Sequence, residues 1–208
     1  HELGYTPNGG SLDLREEIAR FYGPAIGADN ILVFTGAQVA LQTAAFALAR
    51  DCHSIVFTPG YQSTVEAAVH AGGEVTKIPL EAARGWQIDP VAVRAAIRPN
   101  TGYMVLNEPY NPAGTLMSHE LQSELTAIAR EYGIVILSDE VYRLLEHDTR
   151  DRLPAMADLY SKGISAVTLS KPWGGCGITI GWLALQDLDI KQQLVDVQYF
   201  GTACPGRA

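Results

Sequence analysis

The sequence contains few cysteines and no long apolar run, and both absences exclude classes of protein. Only Cys52, Cys176 and Cys204 occur among the 208 residues, and no two of them form a CxxC pair with metal-site spacing. We therefore expect reduced thiols rather than a disulfide framework. No run approaches the roughly eighteen apolar residues of a membrane span, and the first residues lack the basic and then apolar pattern of a signal peptide. The expectation is a cytoplasmic protein without a membrane partner.

Basic residues are also scarce. Lys and Arg number 15 against 23 Asp and Glu, so the net charge is -8. Nucleic acid would find little to bind, and a small molecule is the expected partner. No G-x-G-x-x-G or Walker lysine motif occurs, so a nucleotide-binding α/β domain lacks its signatures. Hydrophobic residues make up 47% of the chain, which is enough for one substantial domain.

Short apolar runs alternate with helical segments along the chain. The predicted strands are 31–34, 54–57, 74–78, 103–106, 134–137, 166–169 and 178–185. The predicted helices are 37–50, 63–72, 89–97 and 118–132. Because continuously apolar strands with helices between them are typical of covered parallel sheets, we predict an α/β fold: a mostly parallel sheet with helices on both faces, in three layers.

Three polar residues follow predicted strands in a suggestive order. They are Asn111 in an Asn-Pro-Ala-Gly turn, Asp139 after the run 134–137, and Lys171 after the run 166–169. Ligands of such sheets bind at the carboxyl ends of the strands. A lysine can form a Schiff base, a carboxylate can pair with a ring nitrogen, and an amide can donate to a ring hydroxyl. These are the groups that pyridoxal 5'-phosphate requires.

Other residues near strand ends suit the same cofactor. The segment Gly36-Ala37-Gln38 follows a strand and opens a helix, so its backbone N–H groups and the helix dipole could bind a phosphate. Tyr61 could stack on a planar ring, and Tyr142 could donate to the ring oxygen. Asp139 ends an apolar run, so its charge needs a cationic or donor partner.

Each of these residues also has an ordinary structural explanation. Gly36 suits a tight turn, Tyr61 suits a core or a surface, and Asn111 before proline suits a turn. Asp139 could cap a helix, and Lys171 could be a solvated surface lysine. The cofactor hypothesis therefore depends on the set and not on any one member.

In type, order and spacing, the set resembles the large domain of the class I/II aminotransferases, which are fold-type I pyridoxal phosphate enzymes. The motifs that carry the resemblance are Tyr5, Gly36-Ala37-Gln38, Tyr61, Asn111-Pro112-Ala113-Gly114, Asp139-Glu140-Val141-Tyr142 and Thr168-Leu169-Ser170-Lys171. The resemblance covers nearly the whole chain. It implies that residues 1–208 form a pyridoxal-phosphate-binding large domain that lacks part of the family's N-terminal segment and its C-terminal small domain.

The resemblance also implies roles for the residues in an enzyme that acts on an amino acid. Lys171 would form the internal aldimine and abstract the substrate α-proton, and Asp139 would bind the pyridine nitrogen. The ring would further contact Asn111, Tyr142 and Tyr61, the first two at its hydroxyl oxygen and the last by stacking. The phosphate would be bound by Gly36, Ala37, Gln38, Thr168 and Ser170. Tyr5 resembles a tyrosine that reaches the neighbouring subunit's phosphate, which implies a homodimer with shared active sites.

The sequence departs from the family at Thr179. The family usually has an arginine eight residues after the lysine, where it pairs with the phosphate, and this chain has threonine there. A bidentate cation is replaced by a hydroxyl. Phosphate binding should then depend more on the helix N-terminus.

Two alternatives to a transaminase remain open. The Gly174-Gly175-Cys176 run after Trp173, together with Thr179, resembles pyridoxal phosphate enzymes of antibiotic biosynthesis that oxidise or hydroxylate free L-arginine, or cyclise its hydroxylated form. A domain of this family can also be the effector sensor of a transcription regulator, where the cofactor binds without turnover. This chain contains no basic DNA-reading segment, so a regulator would need one elsewhere.

Overall fold

The computed structural model describes residues 5–202 and arranges seven strands in one sheet. The strands are β1 Ile31–Phe34, β2 His53–Thr58, β3 Glu74–Pro79, β4 Thr101–Asn107, β5 Val135–Asp139, β6 Gly163–Thr168 and β7 Gly181–Leu185. Their order across the sheet is β1-β7-β6-β5-β4-β2-β3. β2 pairs in parallel with β3 and β4, and β4-β5 and β5-β6 are also parallel. Only β7 runs antiparallel to its neighbours β1 and β6, so the predicted mostly parallel sheet is confirmed.

Seven α-helices accompany the strands in the described part of the chain. They are α1 Leu12–Ala19, α2 Ala37–Leu48, α3 Gln62–His70, α4 Pro90–Ala96, α5 His119–Tyr132, α6 Met156–Leu159 and α7 Leu188–Thr202. The predicted cap of α5 is present, because Ser118 Oγ accepts from Leu121 N at 3.1 Å and Gly133 ends the helix at φ +70°. The sequence predicted α2 to α5 and missed α1, α6 and α7.

Apolar side chains of each strand alternate between two cores. Leu32 and Phe34 of β1 face one core, with α2 and α7, while Ile31 and Val33 face another on the opposite side of the sheet. The central strands do the same, since Val105 and Leu106 of β4 lie in different cores. This alternation follows from the period of two in a strand, and it gives the three layers that were predicted.

β7 is shorter than predicted. The sequence placed a strand over 178–185, but the strand begins at Gly181. Thr179 has a φ of +56°, in the left-handed region that a strand cannot contain. The three preceding residues therefore belong to the loop that also carries Lys171.

The composition predicted reduced cysteines and no membrane-spanning helix. Cys52 and Cys176 are free thiols, whereas Cys204 lies outside the residues that the structure describes. Between residues 5 and 202, no helix combines the length and apolarity needed to cross a bilayer.

Candidate active site

The carboxyl ends of β1, β4, β5 and β6 meet at one edge of the sheet, where a cavity of about 340 Å³ opens. Ten of the eleven site residues predicted from the sequence line it: Gly36, Ala37, Gln38, Tyr61, Asn111, Asp139, Tyr142, Thr168, Ser170 and Lys171. The eleventh, Tyr5, is not among the lining residues, and its side chain is 95% exposed. Residues far apart in sequence thus share one wall because parallel strands end at a common edge.

The N-terminus of α2 forms one end of the cavity. Its cap residue Gly36 has a φ of +89°, which favours glycine. The first N–H groups of a helix have no partner within the helix, and the helix dipole adds positive charge there. β7 packs directly against this turn, because a Cβ built on Gly181 would lie 2.4 Å from Ala37 N. The arrangement suits an anionic group such as a phosphate.

Asp139 lies at the end of β5 and is 2% exposed. Its Oδ1 accepts from Val141 N at 3.3 Å. Burial raises the pKa of this carboxyl to about 7, and the nearby Glu140 adds to the rise. Within residues 5–202 no ion pair forms on Asp139. A buried carboxyl that faces a cavity in this way suits a cationic ligand atom such as a protonated pyridine nitrogen.

Asn111 is held at the cavity by Asn107, which the sequence analysis did not single out. Asn107 Oδ1 accepts from Asn111 N at 2.8 Å, and Asn107 Nδ2 donates to Asp139 O at 3.0 Å. Asn107 therefore joins the ends of β4 and β5. Its position at a predicted strand end, four residues before Asn111, was a signal that could have identified it.

The loop after β6 presents Lys171. Thr168 Oγ1 donates to Ile180 O at 3.0 Å and lies 3.1 Å from Ser170 Oγ, so the two hydroxyls are held together. Lys171 Nζ lies 5.7 Å from the centre of the Tyr142 ring. Cys176, which was not predicted as a lining residue, donates from its thiol to Ser170 O at 3.2 Å. The loop therefore turns back on itself around the lysine.

Thr179 lines the cavity beside the α2 N-terminus. Its Cγ2 would lie 3.3 Å from a Cβ built on Gly36. Among the described residues that line the cavity, Lys171 is the only one with a cationic side chain. The position where the resembled family has an arginine is therefore occupied by a neutral threonine, whose methyl group lies next to the helix end.

These groups together fit pyridoxal phosphate. The cavity offers an amine for the aldehyde of the cofactor and a buried carboxyl for its ring nitrogen. It also offers an asparagine and a tyrosine for the ring hydroxyl, and a helix N-terminus with hydroxyls for the phosphate. The fold and this cavity define the class: a fold-type I pyridoxal phosphate protein.

Comparisons with solved structures support that class. A pyridoxal-phosphate-dependent aminotransferase from Streptococcus suis superposes with a TM-score of 0.92 at 31% identity, over 99% of this chain and 54% of that one. A double mutant of Thermus thermophilus aspartate aminotransferase gives a TM-score of 0.89 at 26% identity, over 97% of this chain and 54% of that one.

Sequence comparison identifies the family. The family profile for aminotransferase class I and II matches residues 2–205. A probable aspartate aminotransferase of Methanocaldococcus jannaschii is 30% identical over 96% of this chain and 55% of its own length. The arginine–pyruvate transaminase of Pseudomonas aeruginosa is 30% identical over 86% of this chain and 47% of its own length.

The chain belongs to the class I and II aminotransferase family, as the sequence motifs predicted. The cofactor that this family and its structural neighbours imply is pyridoxal 5'-phosphate. The chain spans about half the length of the curated relatives it matches.

Proposed function

We propose that this protein is a pyridoxal-phosphate-dependent aminotransferase that transfers the amino group of an amino acid to a keto acid. One observation carries the proposal. Lys171, from the loop after β6, and Asp139, from the end of β5, line the same cavity as the N-terminus of α2. An aminotransferase needs an amine, an anion and a phosphate site within the span of one cofactor.

The proposed binding roles follow from position. When bound, the cofactor supplies an aldehyde to which amines attach and a cationic ring that accepts electron density from the substrate α-carbon. Asp139 would keep the ring nitrogen protonated, because a neighbouring carboxylate favours its cationic form. Asn111 and Tyr142 would hydrogen-bond to the ring hydroxyl oxygen, and Tyr61 would contact the ring face. Backbone N–H groups of Ala37 and Gln38 at Gly36, with the Thr168 and Ser170 hydroxyls, would bind the phosphate.

Lys171 would have two tasks. Its Nζ would hold the cofactor covalently before the substrate arrives. While the substrate is bound, Nζ would be a free amine inside the cavity, where it would take the proton from the substrate α-carbon and deliver it to the aldehyde carbon of the cofactor. Its position supports this role, because Lys171 lines the same cavity as Asp139 and its Nζ lies 5.7 Å from the centre of the Tyr142 ring.

Replacing Lys171 by alanine in the full-length protein tests the proposal. After borohydride treatment with pyridoxal phosphate, peptide mass spectrometry should find the cofactor on Lys171 in the native protein, and Lys171→Ala should lose both this label and keto-acid-dependent amino transfer. Lys162→Ala is the control, because Lys162 directly precedes β6 at the end opposite to Lys171, and this variant should retain both the label and the activity. Activity that survives in Lys171→Ala would contradict the proposal.

Amino transfer is favoured over the other hypotheses by the relatives named above, which are aminotransferases. Oxidation or hydroxylation of L-arginine, cyclisation of its hydroxylated form, and effector sensing stay predictions. Incubation of the full-length protein with L-arginine under air separates the cases. Oxygen uptake with peroxide release would support the oxidase, whereas amino transfer to a keto acid without oxygen uptake would reject it.

The assembly and compartment also belong to the proposal. A homodimer with shared active sites is supported by the high exposure of Tyr5, which leaves its side chain accessible to a second subunit. The cytoplasm is the proposed location, on the composition of the chain. The domain assignment, a pyridoxal-phosphate-binding large domain over residues 1–208, is supported by the family match over 2–205.

A further inference from the structure

The side chain of Gln38 is hydrogen-bonded at both atoms of its amide group. Its Nε2 donates to Ser63 Oγ at 2.5 Å, and its Oε1 accepts from the Tyr61 hydroxyl at 2.6 Å. Gln38 is the second residue of α2, Tyr61 is the N-cap residue of α3, and Ser63 lies in the first turn of α3. One amide therefore ties together the N-termini of two helices at the cavity.

Without this tie the Tyr61 ring would have little to fix its orientation. The residue is 43% exposed, and its hydroxyl reaches Gln38 and not the protein core. Ser63 is 8% exposed, so it anchors the other end of the amide on a buried part of α3. A hydrogen bond of this kind restricts rotation of the ring because the hydroxyl must stay near one acceptor.

We infer that Gln38 is a positioning residue, which holds the Tyr61 ring in the orientation that contacts the cofactor. The inference rests on the proposed function, because it assigns Tyr61 to the cofactor ring. Gln38 would then have two separate tasks. The backbone of Gln38 belongs to the phosphate end of the site, and its side chain serves the ring.

Gln38 has no comparable task in the core. Its side chain is exposed, whereas the buried face of α2 consists of Ala40, Leu41, Thr43, Ala44 and Ala45. Loss of the amide should therefore alter the bound cofactor and leave the free energy of unfolding of the apoprotein nearly unchanged, as for other exposed positions.

The test uses Gln38→Met in the full-length protein, since methionine keeps the length of the side chain and removes the amide. Gln42→Met, one helical turn on and also exposed, is the matched control. Dissociation constants are measured for pyridoxal phosphate and for pyridoxal, which lacks the phosphate. Gln38→Met should weaken both by the same factor, about five- to tenfold, and reduce the circular dichroism of the cofactor band. Gln42→Met should change neither.

A loss confined to pyridoxal phosphate would place the Gln38 side chain at the phosphate and overturn the inference. A lower apoprotein melting temperature with unchanged dichroism would show a structural role and overturn it as well. A double-mutant cycle adds a further test. Tyr61→Phe removes the same hydrogen bond, so adding it to Gln38→Met should cost no further affinity, whereas full additivity would contradict the coupling.

The two proposals fail in different ways. If the native full-length protein binds neither ligand, the proposed function fails. If the native protein binds both and Gln38→Met binds them equally well, only the role of Gln38 fails.

Discussion

At the scale of single residues, Asp139 and Glu140 show how adjacent carboxyls are directed to different tasks. Asp139 faces the cavity, whereas Glu140 Oε1 accepts from Met156 N at 2.8 Å and from Ser165 Oγ at 2.9 Å. The other oxygen, Glu140 Oε2, is buried, and it has no hydrogen-bond partner within residues 5–202. Since successive side chains of an extended segment point to opposite sides, one strand end supplies both a carboxyl that faces the cavity and a support for α6.

Glu140 makes stability depend on pH. Burial raises its pKa from 4.5 to about 7, although Arg143 and the hydrogen-bond donors oppose the rise. The unfolded chain therefore releases this proton at lower pH than the folded chain does. As a result, Glu140 favours folding below pH 4.5, and this contribution is lost as the pH rises through 7.

Glu140→Gln should remove the loss of folding stability that occurs as the pH rises through 7. The amide keeps an acceptor for Met156 N and carries no charge, so the free energy of unfolding of the apoprotein at pH 8 should rise by about 3 kcal/mol, with little change at pH 4.5. Urea unfolding at both pH values measures the difference. Glu124→Gln, at an exposed position of α5, is the control and should give the same small effect at both. Equal effects of Glu140→Gln at pH 4.5 and pH 8 would contradict the argument.

At the scale of elements, the contact between β7 and α2 sets the geometry of the proposed phosphate site. A Cβ on Gly181 would lie 2.4 Å from Ala37 N and 2.7 Å from Gly36 C, and both atoms belong to the backbone. A flexible side chain could move aside, but a helix N-terminus fixed at the end of β1 cannot do so without disturbing its strand. The first residue of β7 therefore determines how closely the helix end approaches the sheet.

Gly181→Ala should push the α2 N-terminus away from β7. We expect it to lower the free energy of unfolding by about 1–3 kcal/mol, which is the usual cost of overpacking, and to weaken pyridoxal phosphate binding more than pyridoxal binding. Gly177→Ala is the matched control in the adjoining loop, because its Cβ would meet no atom within 4 Å. Urea unfolding and ligand titration measure both effects. A tolerated Gly181→Ala would show that the helix end can shift freely.

At the scale of the whole molecule, the proposed shared active sites make a distinctive prediction for mixed subunits. Tyr5 lies outside the cavity that contains Lys171, so it would act on the partner's site and not on its own. Lys171→Ala and Tyr5→Ala subunits should each have low activity alone. Refolded as an equal mixture, they should recover about a quarter of native activity, because half the dimers are mixed and each of these has one intact site.

Sedimentation of the mixture should show dimers, and each variant refolded alone is the control. No recovery of activity from mixtures that do form dimers would show that Tyr5 does not act across subunits.

Local sequence patterns predicted much of the fold. The bounds of β1 were predicted correctly and those of α5 nearly so, because a buried apolar run and a Ser118 cap with a Gly133 end are local signals. The helix α1 was missed, since only Ile18 among its residues is buried and its apolar pattern is correspondingly weak. The start of β7 was wrong because the left-handed φ of Thr179 is not visible in its apolar surroundings.

The candidate site was also predicted only in part from local sequence patterns. The sequence by itself determined which chemical groups are available, namely the Lys171 amine and the Asp139 carboxyl, and that Thr179 stands where the family has an arginine. It also determined at which strand ends these residues lie, because strand and helix periodicity is a local consequence of burial. Only the tertiary structure decided that ten of these residues share one cavity, that Gln38 bonds to Tyr61 and Ser63, and that Gly181 contacts the α2 N-terminus. Such contacts join residues distant along the chain, and their geometry depends on how the packed layers fit together.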